Sequence, residues 1–217
     1  MMSGWRGAQK MMGKRIWNQT ALAGFLVLLL VFLTACGNNQ GEPPESPLNQ
    51  EGLQEEEETE KYRAFRSSSG KLSVLATDLW EEEETLHEES DLSLYNEAYQ
   101  SYLITLTDDK EKFPDELDMD SYSERIGAAV MKDLIKPRMT ETEMVEIDGL
   151  GGRKFKVEGK IDDVSVTYAF LILESEKEYV QVIAWSFTEN IENNAAYYDR
   201  IIESVKRHEV ENNENGN

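Results

Sequence analysis

The chain has 217 residues, of which 43 are acidic and 22 are basic, and it contains a single cysteine. The acidic excess excludes a protein that binds nucleic acid through a basic surface. The single cysteine excludes a fold held by internal disulfides, so a folded domain in this chain must rest on a hydrophobic core.

The first 35 residues have the composition of a secretory signal. They contain no acidic side chain and four basic ones, which are Arg6, Lys10, Lys14 and Arg15. The uncharged segment 20–35 follows, and at roughly 1.5 Å per residue it spans about 24 Å, short of a bilayer core of about 30 Å. We therefore predict a signal peptide over residues 1–35. An uncleaved anchor helix is the alternative.

The run Leu33-Thr34-Ala35-Cys36 closes this apolar segment. It resembles the lipobox of bacterial lipoproteins, in which the cysteine receives a diacylglycerol thioether and becomes the mature N-terminus. The resemblance implies lipid attachment at Cys36 and a bilayer as the first partner. We expect the outer leaflet of a Gram-positive cytoplasmic membrane. Gly37 provides no inner-membrane retention signal, and the residues leave the envelope type open.

Residues 36–69 have the composition of a disordered acidic tether. This stretch contains Pro43, Pro44 and Pro47, and residues 37–60 hold eight glutamates and no basic residue. Such a segment buries too little apolar surface to offset its ordering entropy, and its like charges extend it. We expect it to hold a folded domain, residues 70–207, away from the membrane.

The domain begins with alternating apolar residues that predict strands. The first three predicted strands are residues 72–76, 92–95 and 99–107, with a polar turn at residues 81–84. Ser121 and Glu124 form a capping-box signature that predicts the start of a helix, and Pro137 is expected to end it. A final helix is predicted after Asn190, followed by a disordered tail over residues 208–217.

The strongest strand signals lie between the two helices. They cover residues 144–147, 155–161, 164–173 and 179–187, with a turn at residues 148–152. The last two segments are apolar on both faces, so they must be covered on both faces. The predicted fold class is α+β, with an antiparallel sheet of about six strands packed between α-helices.

Several of these segments resemble the PsbP/DcrB-like superfamily. The resemblance rests on residues 91–96 running into 102–106, and on residues 147–150, 164–173, 179–185 and 202–206. It implies the same antiparallel sheet between helices. Members of that superfamily are mostly accessory, assembly or binding proteins, and many are exported or lipidated, but no functional residue can be transferred to this chain.

The chain contains few residues of the types that act in nucleophilic catalysis or in zinc binding. The only histidines are His87 and His208, and no Gly-x-Ser-x-Gly motif is present. His87 stands among glutamates, which favours a solvated loop over a metal site, and a single cysteine with two distant histidines disfavours zinc. Asp118-Met119-Asp120 opens like a calcium loop, but Ser123 and Ala129 occupy the positions that need glycine and glutamate.

Glycines and basic residues cluster at one turn, over residues 149–154. The run lacks the spacing of a phosphate-binding loop, so a tight turn is the better interpretation. The basic side chains there and along the next strand are Arg153, Lys154, Lys156 and Lys160. We expect them to pair with neighbouring carboxylates, although docking of an anionic partner is an alternative.

These observations predict no catalytic residue, no cofactor and no metal. The leading hypothesis is a lipid-anchored extracytoplasmic protein whose domain binds or assists an envelope protein of unknown identity. One alternative is a hydrolase that uses paired carboxylates. Another is a small substrate-capture lipoprotein of a transporter, for which the domain is small.

Overall fold

A computed structural model describes residues 61–84 and 86–208 of the chain. The predicted signal peptide, Cys36 and its lipobox, most of the predicted tether and most of the predicted tail lie outside the described residues.

The described residues form strands and short helices in the following order. The strands are β1 (Tyr62–Arg66), β2 (Leu72–Thr77), β3 (Trp80–Glu82), β4 (Leu92–Asn96), β5 (Ser101–Asp109), β6 (Ile135–Met139), β7 (Glu143–Ile147), β8 (Leu150–Ile161), β9 (Val164–Glu174), β10 (Glu178–Phe187) and β11 (Lys206–Arg207). The helices are α1 (Met119–Met131), α2 (Thr188–Asn193) and α3 (Ala195–Ile202), and Lys110–Lys112 forms a 3-10 turn after β5.

The larger sheet runs in the order β3-β4-β5-β10-β9-β8-β6, and every pair in it is antiparallel. The long strand β8 pairs with two partners along its outer edge. β7 lies beside its first half, from Leu150 to Lys154, and β6 lies beside its second half, from Val157 to Lys160. The α+β class and the antiparallel sheet are confirmed. The sheet has eight strands within the described residues, more than the six expected.

A second, three-stranded sheet has the order β1-β2-β11. β1 belongs to the stretch that we assigned to the tether, so the expected boundary at residue 69 is wrong. Phe65 explains this, because its side chain is buried against Val74 and the other apolar residues beneath the small sheet. The first residue of the predicted tail is also held in place, since the His208 backbone N–H donates to the Lys71 carbonyl at 2.8 Å.

The large sheet has one hydrophobic core on each face. On one face, Tyr122 and Val130 of α1 pack against the aromatic and branched residues of β5, β8, β9 and β10. On the other face, Ile191 of α2 and Tyr198 of α3 join the small sheet over Ala184 and its neighbours. The strands that are apolar on both faces are β9 and β10, and they lie in the middle of the sheet, as expected.

Helix α1 begins earlier than the capping box predicted. The N-cap is Asp118, whose Oδ1 accepts a hydrogen bond from the Ser121 backbone N–H at 2.7 Å. This bond lowers the pKa of the Asp118 carboxyl, since it favours the charged form. The helix ends at Met131, well before Pro137, which lies in β6 at the edge of the sheet, where a missing N–H is tolerated.

Three further expectations differ from the structure. The predicted polar turn at residues 81–84 begins as strand β3, because the fully buried Trp80 fixes this segment against β4. The predicted final helix is divided into α2 and α3 at Asn194. The predicted turn at 148–152 contains only Asp148 and Gly149, both with positive φ, as a two-residue hairpin requires.

Among residues 61–84 and 86–208, no helix combines the length and apolar character needed to cross a bilayer.

Candidate functional site

A cavity of about 720 Å³ lies between α1 and the sheet. Helix α1 bounds it on one side, and the last residues of β5 together with Gln181 of β10 bound it on the other. The 3-10 turn and the loop around His87 complete the walls. The lining residues are His87, Glu89, Leu106, Thr107, Asp108, Lys112, Phe113, Arg125, Ile126, Ala128, Ala129, Lys132, Asp133 and Gln181.

We call the floor of the cavity the part lined by the half-buried Asp108 and the buried Gln181. Both side chains belong to a hydrogen-bond network with Tyr122, which is fully buried and does not line the cavity. The Tyr122 hydroxyl donates to Asp108 Oδ2 at 2.6 Å. The Gln181 amide nitrogen donates to the same carboxylate oxygen at 3.1 Å and to the Tyr122 oxygen at 2.8 Å. Burial, followed by the hydrogen bond to Asp108, raises the pKa of Tyr122, so the phenol stays protonated and acts as a donor. The network therefore holds Asp108 as an acceptor.

His87 stands on the wall of this cavity and is only 6% exposed. The expected solvated loop is wrong at this position, because the adjacent Leu86 is inserted into the core and draws the histidine inward. The Glu89 backbone N–H donates to His87 Nδ1 at 3.2 Å, which leaves the proton of the neutral ring on Nε2. Burial lowers the pKa of His87, against the opposing effect of Glu89 and Glu88.

The walls and the mouth of the cavity differ in character. Leu106, Phe113 and Ile126 provide apolar wall surface. The Arg125 guanidinium lies 5.6 Å from the centre of the Phe113 ring, a cation–π distance. The exposed residues of the lining are all charged, and we call this part of the cavity its mouth. A bound molecule would therefore meet apolar sides, a polar floor and a charged mouth.

The structure also places a serine beside the second histidine. Ser73 Oγ and His208 Nε2 are 2.8 Å apart, a pairing that the sequence did not indicate because 135 positions separate the residues. Ser73 is buried in β2, and no described carboxylate forms an ion pair with His208. A nucleophilic serine needs an oriented base and space for substrate, so the bond serves to fasten β11 to β2.

The expectation that the basic residues of β8 pair with carboxylates holds for two of them. Arg153 Nε lies 2.5 Å from Asp120 Oδ1 on α1. Lys154 Nζ lies 3.0 Å from Asp199 and 2.5 Å from Glu203, both on or next to α3. These ion pairs connect β8 to one helix on each face of the sheet. Lys156 and Lys160 form no ion pair with the described residues, and Lys156 lines a small hollow of about 220 Å³ beside Lys154.

Within residues 61–84 and 86–208, no group of three or more histidine, aspartate or glutamate side chains is arranged to hold an ion. Cys36 lies outside these residues.

No family model matches the chain, and no curated protein is significantly similar to it in sequence. Solved structures do show similarity. The cyanobacterial PsbP protein CyanoP from Synechocystis sp. PCC 6803 superposes with a TM-score of 0.51 at 8% identity, and the match covers 76% of this chain and all of CyanoP.

Two further solved structures are similar at lower scores. LpqN, described as involved in cell envelope biogenesis of Mycobacterium tuberculosis, has a TM-score of 0.48 at 7% identity, covering 67% of this chain and 90% of LpqN. The protein PA94 from Pseudomonas aeruginosa, of unknown function, has a TM-score of 0.45 at 6% identity, covering 69% of this chain and 99% of PA94. At such identities only the fold is shown, and the superposition on CyanoP shows that it is PsbP-like.

Proposed function

We propose that this chain is an extracytoplasmic lipoprotein, anchored through Cys36, whose PsbP-like domain binds a component of the cell envelope without catalysing a reaction. The anchor is supported by the lipobox resemblance of Leu33-Thr34-Ala35-Cys36 and by the basic and apolar segments before it. A two-chain lipid provides stable attachment, since each buried methylene contributes about 0.8 kcal/mol.

The cavity beside α1 is the observation that supports a binding function. Its volume of about 720 Å³ lies within the range of ligand-binding sites, roughly 300 to 1,000 Å³. Its polar groups converge at the floor while its walls are apolar, which is the usual distribution in a binding pocket. The same cavity favours a second candidate function, the capture of a small solute for a transporter.

The polar groups of the cavity support binding better than catalysis. Asp108 Oδ2 is occupied by two donors, Tyr122 and Gln181, which position it as a structural acceptor. Neither Ser73 nor His208 lines this cavity. A hydrolase acting through carboxylates would need one acid to hold a proton next to a second, ionised one.

The anchor is tested by replacing the acylated side chain. In cells fed an alkyne-bearing palmitate analogue, the native protein should incorporate the label and remain with the membrane fraction. Cys36→Ala should lose the label and be released. Gly37→Ala is the matched control, because it leaves the four lipobox residues intact. A native protein that carries no acyl group and keeps its initiating methionine would refute the anchor.

The envelope partner is tested by crosslinking in living cells. A photo-crosslinking amino acid replaces Lys132 at the mouth of the cavity or, as a control, Leu79, which is 51% exposed in the turn after β2. Mass spectrometry should identify one envelope protein enriched at position 132 relative to position 79. Equal, unspecific crosslinking at both positions would contradict the proposed role.

A further inference from the structure

We propose that the cavity beside α1 binds a short peptide with free termini, with the peptide ammonium group at the floor and the peptide carboxylate at the mouth. This inference rests on the proposed binding function and names its ligand. It follows from the burial of the charged and amide side chains of the lining: Gln181 is buried and Asp108 half-buried, whereas the cationic side chains are exposed.

The floor selects a hydrogen-bond donor with positive charge. Tyr122 and Gln181 both donate to Oδ2 of Asp108, and no described group donates to Oδ1 of Asp108 or to Oε1 of Gln181. A carboxylate oxygen and an amide oxygen therefore remain as acceptors at the cavity floor. An ammonium group satisfies both, because it carries three donors and a positive charge.

The same floor disfavours other ligand classes. A phosphate or carboxylate placed there would meet the negative charge of Asp108. An acyl chain would remove the carboxylate from water without supplying a hydrogen bond, which is unfavourable. A neutral sugar would satisfy the acceptors through hydroxyl groups, but it would leave the charge of Asp108 without a counter-ion.

The mouth selects a negative group. Three cationic side chains, those of Lys112, Arg125 and Lys132, line the cavity and are exposed, whereas two exposed carboxylates, those of Glu89 and Asp133, accompany them. The mouth therefore has a positive excess within a strongly acidic protein. The Arg125 guanidinium lies 5.6 Å from the centre of the Phe113 ring, and a guanidinium matches the geometry of a carboxylate in a bidentate pair.

The size and the walls select a peptide of a few residues. A volume of about 720 Å³ suits a ligand of drug-like size, larger than a single amino acid. Leu106, Phe113, Ile126 and the two alanines of α1 form apolar walls along the middle of the cavity, where peptide side chains would lie. A molecule with an ammonium group, apolar side chains and a carboxylate in that order is a short peptide.

The test compares three probes of almost equal size by calorimetric titration of the purified full-length chain in detergent. The probes are the tripeptide Ala-Phe-Ala, its N-acetylated form and its C-terminal amide. We expect the free tripeptide to bind and the N-acetylated form to bind at least about tenfold more weakly, because it cannot place a charged donor against Asp108. The amide should bind more weakly than the free peptide. No binding of the free tripeptide, or equal affinity for the N-acetylated form, would overturn the inference.

A pair of variants locates the ammonium site. Asp108→Asn retains an oxygen that accepts from Tyr122 and Gln181 but removes the charge, so the preference for the free N-terminus should disappear. Asp133→Asn, at the mouth, is the matched control and should keep that preference. A preference that survives in Asp108→Asn would refute the assignment. If that variant does not fold, the comparison of the three probes on the native chain decides the question.

The two proposals fail in different ways. If the tripeptide does not bind while Cys36 is acylated and an envelope protein crosslinks at position 132, only the ligand assignment is wrong. If the tripeptide binds with the expected preference but acylation and crosslinking are absent, the proposed anchored role is wrong.

Discussion

At the scale of single residues, Tyr122 shows how one position combines two roles. Its ring is fully buried and lies 3.9 Å from the ring of Tyr179, measured between centroids. Its hydroxyl donates to Asp108. The hydrogen bond to a carboxylate on β5 has no local signal, because the two residues meet only when α1 packs on the sheet.

The first prediction concerns this hydroxyl group. Tyr122→Phe should lower the free energy of unfolding by about 2 kcal/mol, because the lost hydrogen bond has a charged acceptor. Tyr179→Phe is the matched control. Its hydroxyl donates to the neutral Leu117 carbonyl at 2.8 Å, so its removal should lower the free energy by only about 1 kcal/mol. Urea unfolding measures both values, and an equal or reversed order would contradict the role of Asp108.

The second prediction concerns His87 and pH. Burial lowers its pKa below the ordinary value of 6.5, so the folded protein holds the ring neutral while the unfolded chain takes up a proton. The stability that this group contributes is complete above about pH 6.5 and is lost as the pH falls toward the folded pKa. His87→Gln should therefore show a smaller loss of unfolding free energy between about pH 7 and about pH 5.5. If the unfolding free energy of His87→Gln changes with pH as steeply as that of the native protein, His87 has the same pKa in the folded and the unfolded state.

At the scale of elements, two neighbouring glycines of β8 differ in their surroundings, and only one of them is required for the packing of this strand. A Cβ atom at Gly152 would lie 2.5 Å from the Ile172 carbonyl oxygen of β9. A Cβ atom at Gly151 would meet no atom within 4 Å. The sequence pattern assigned both residues to a turn, whereas Gly152 is where β8 passes close to the backbone of β9.

The third prediction tests this close approach. Gly152→Ala should destabilise the protein by about 2 kcal/mol, because the methyl group meets a backbone atom that cannot move without disturbing the sheet. Gly151→Ala should change the stability by less than about 0.5 kcal/mol, as expected for an exposed site without contacts. The unfolding midpoints in urea give the comparison. Similar values for the two variants would contradict the tight fit at Gly152.

At the scale of the whole molecule, the small sheet decides where the domain begins. β1 starts at Tyr62 and covers part of the second core together with β2 and β11. The glutamate-rich composition upstream obscured this strand, because its buried contribution is essentially one side chain, Phe65. The first and the last strand of the domain therefore lie beside the same strand, since β1 and β11 both pair with β2.

The fourth prediction tests this boundary. Phe65→Ala should lower the unfolding free energy by about 3 to 4 kcal/mol, because a buried aromatic side chain leaves a cavity. Leu79→Ala is the control for an exposed apolar residue and should have an effect below about 1 kcal/mol. Both values come from urea unfolding of the full chain. A small effect at Phe65 would mean that β1 contributes little to the domain.

The candidate site was the least predictable part of the protein. The hydrogen-bond network at its floor joins Asp108 near the end of β5, Tyr122 on α1 and Gln181 in the middle of β10, and no short motif links them. His87 drew attention as one of only two histidines, but the surrounding glutamates favoured an exposed loop. His87 is buried because the side chain of the adjacent Leu86 packs into the core, and this packing exists only in the tertiary structure.

The amino-acid sequence alone determined the α+β class and the central position of the strands that are apolar on both faces, since both depend on a local pattern of hydrophobic residues. Only the tertiary structure decided the number of strands, the start of the domain at β1, the division of the last helix and the cavity beside α1. Those features depend on which segments, distant in the chain, pack against each other. The local periodicity of hydrophobic residues carries no information about that packing.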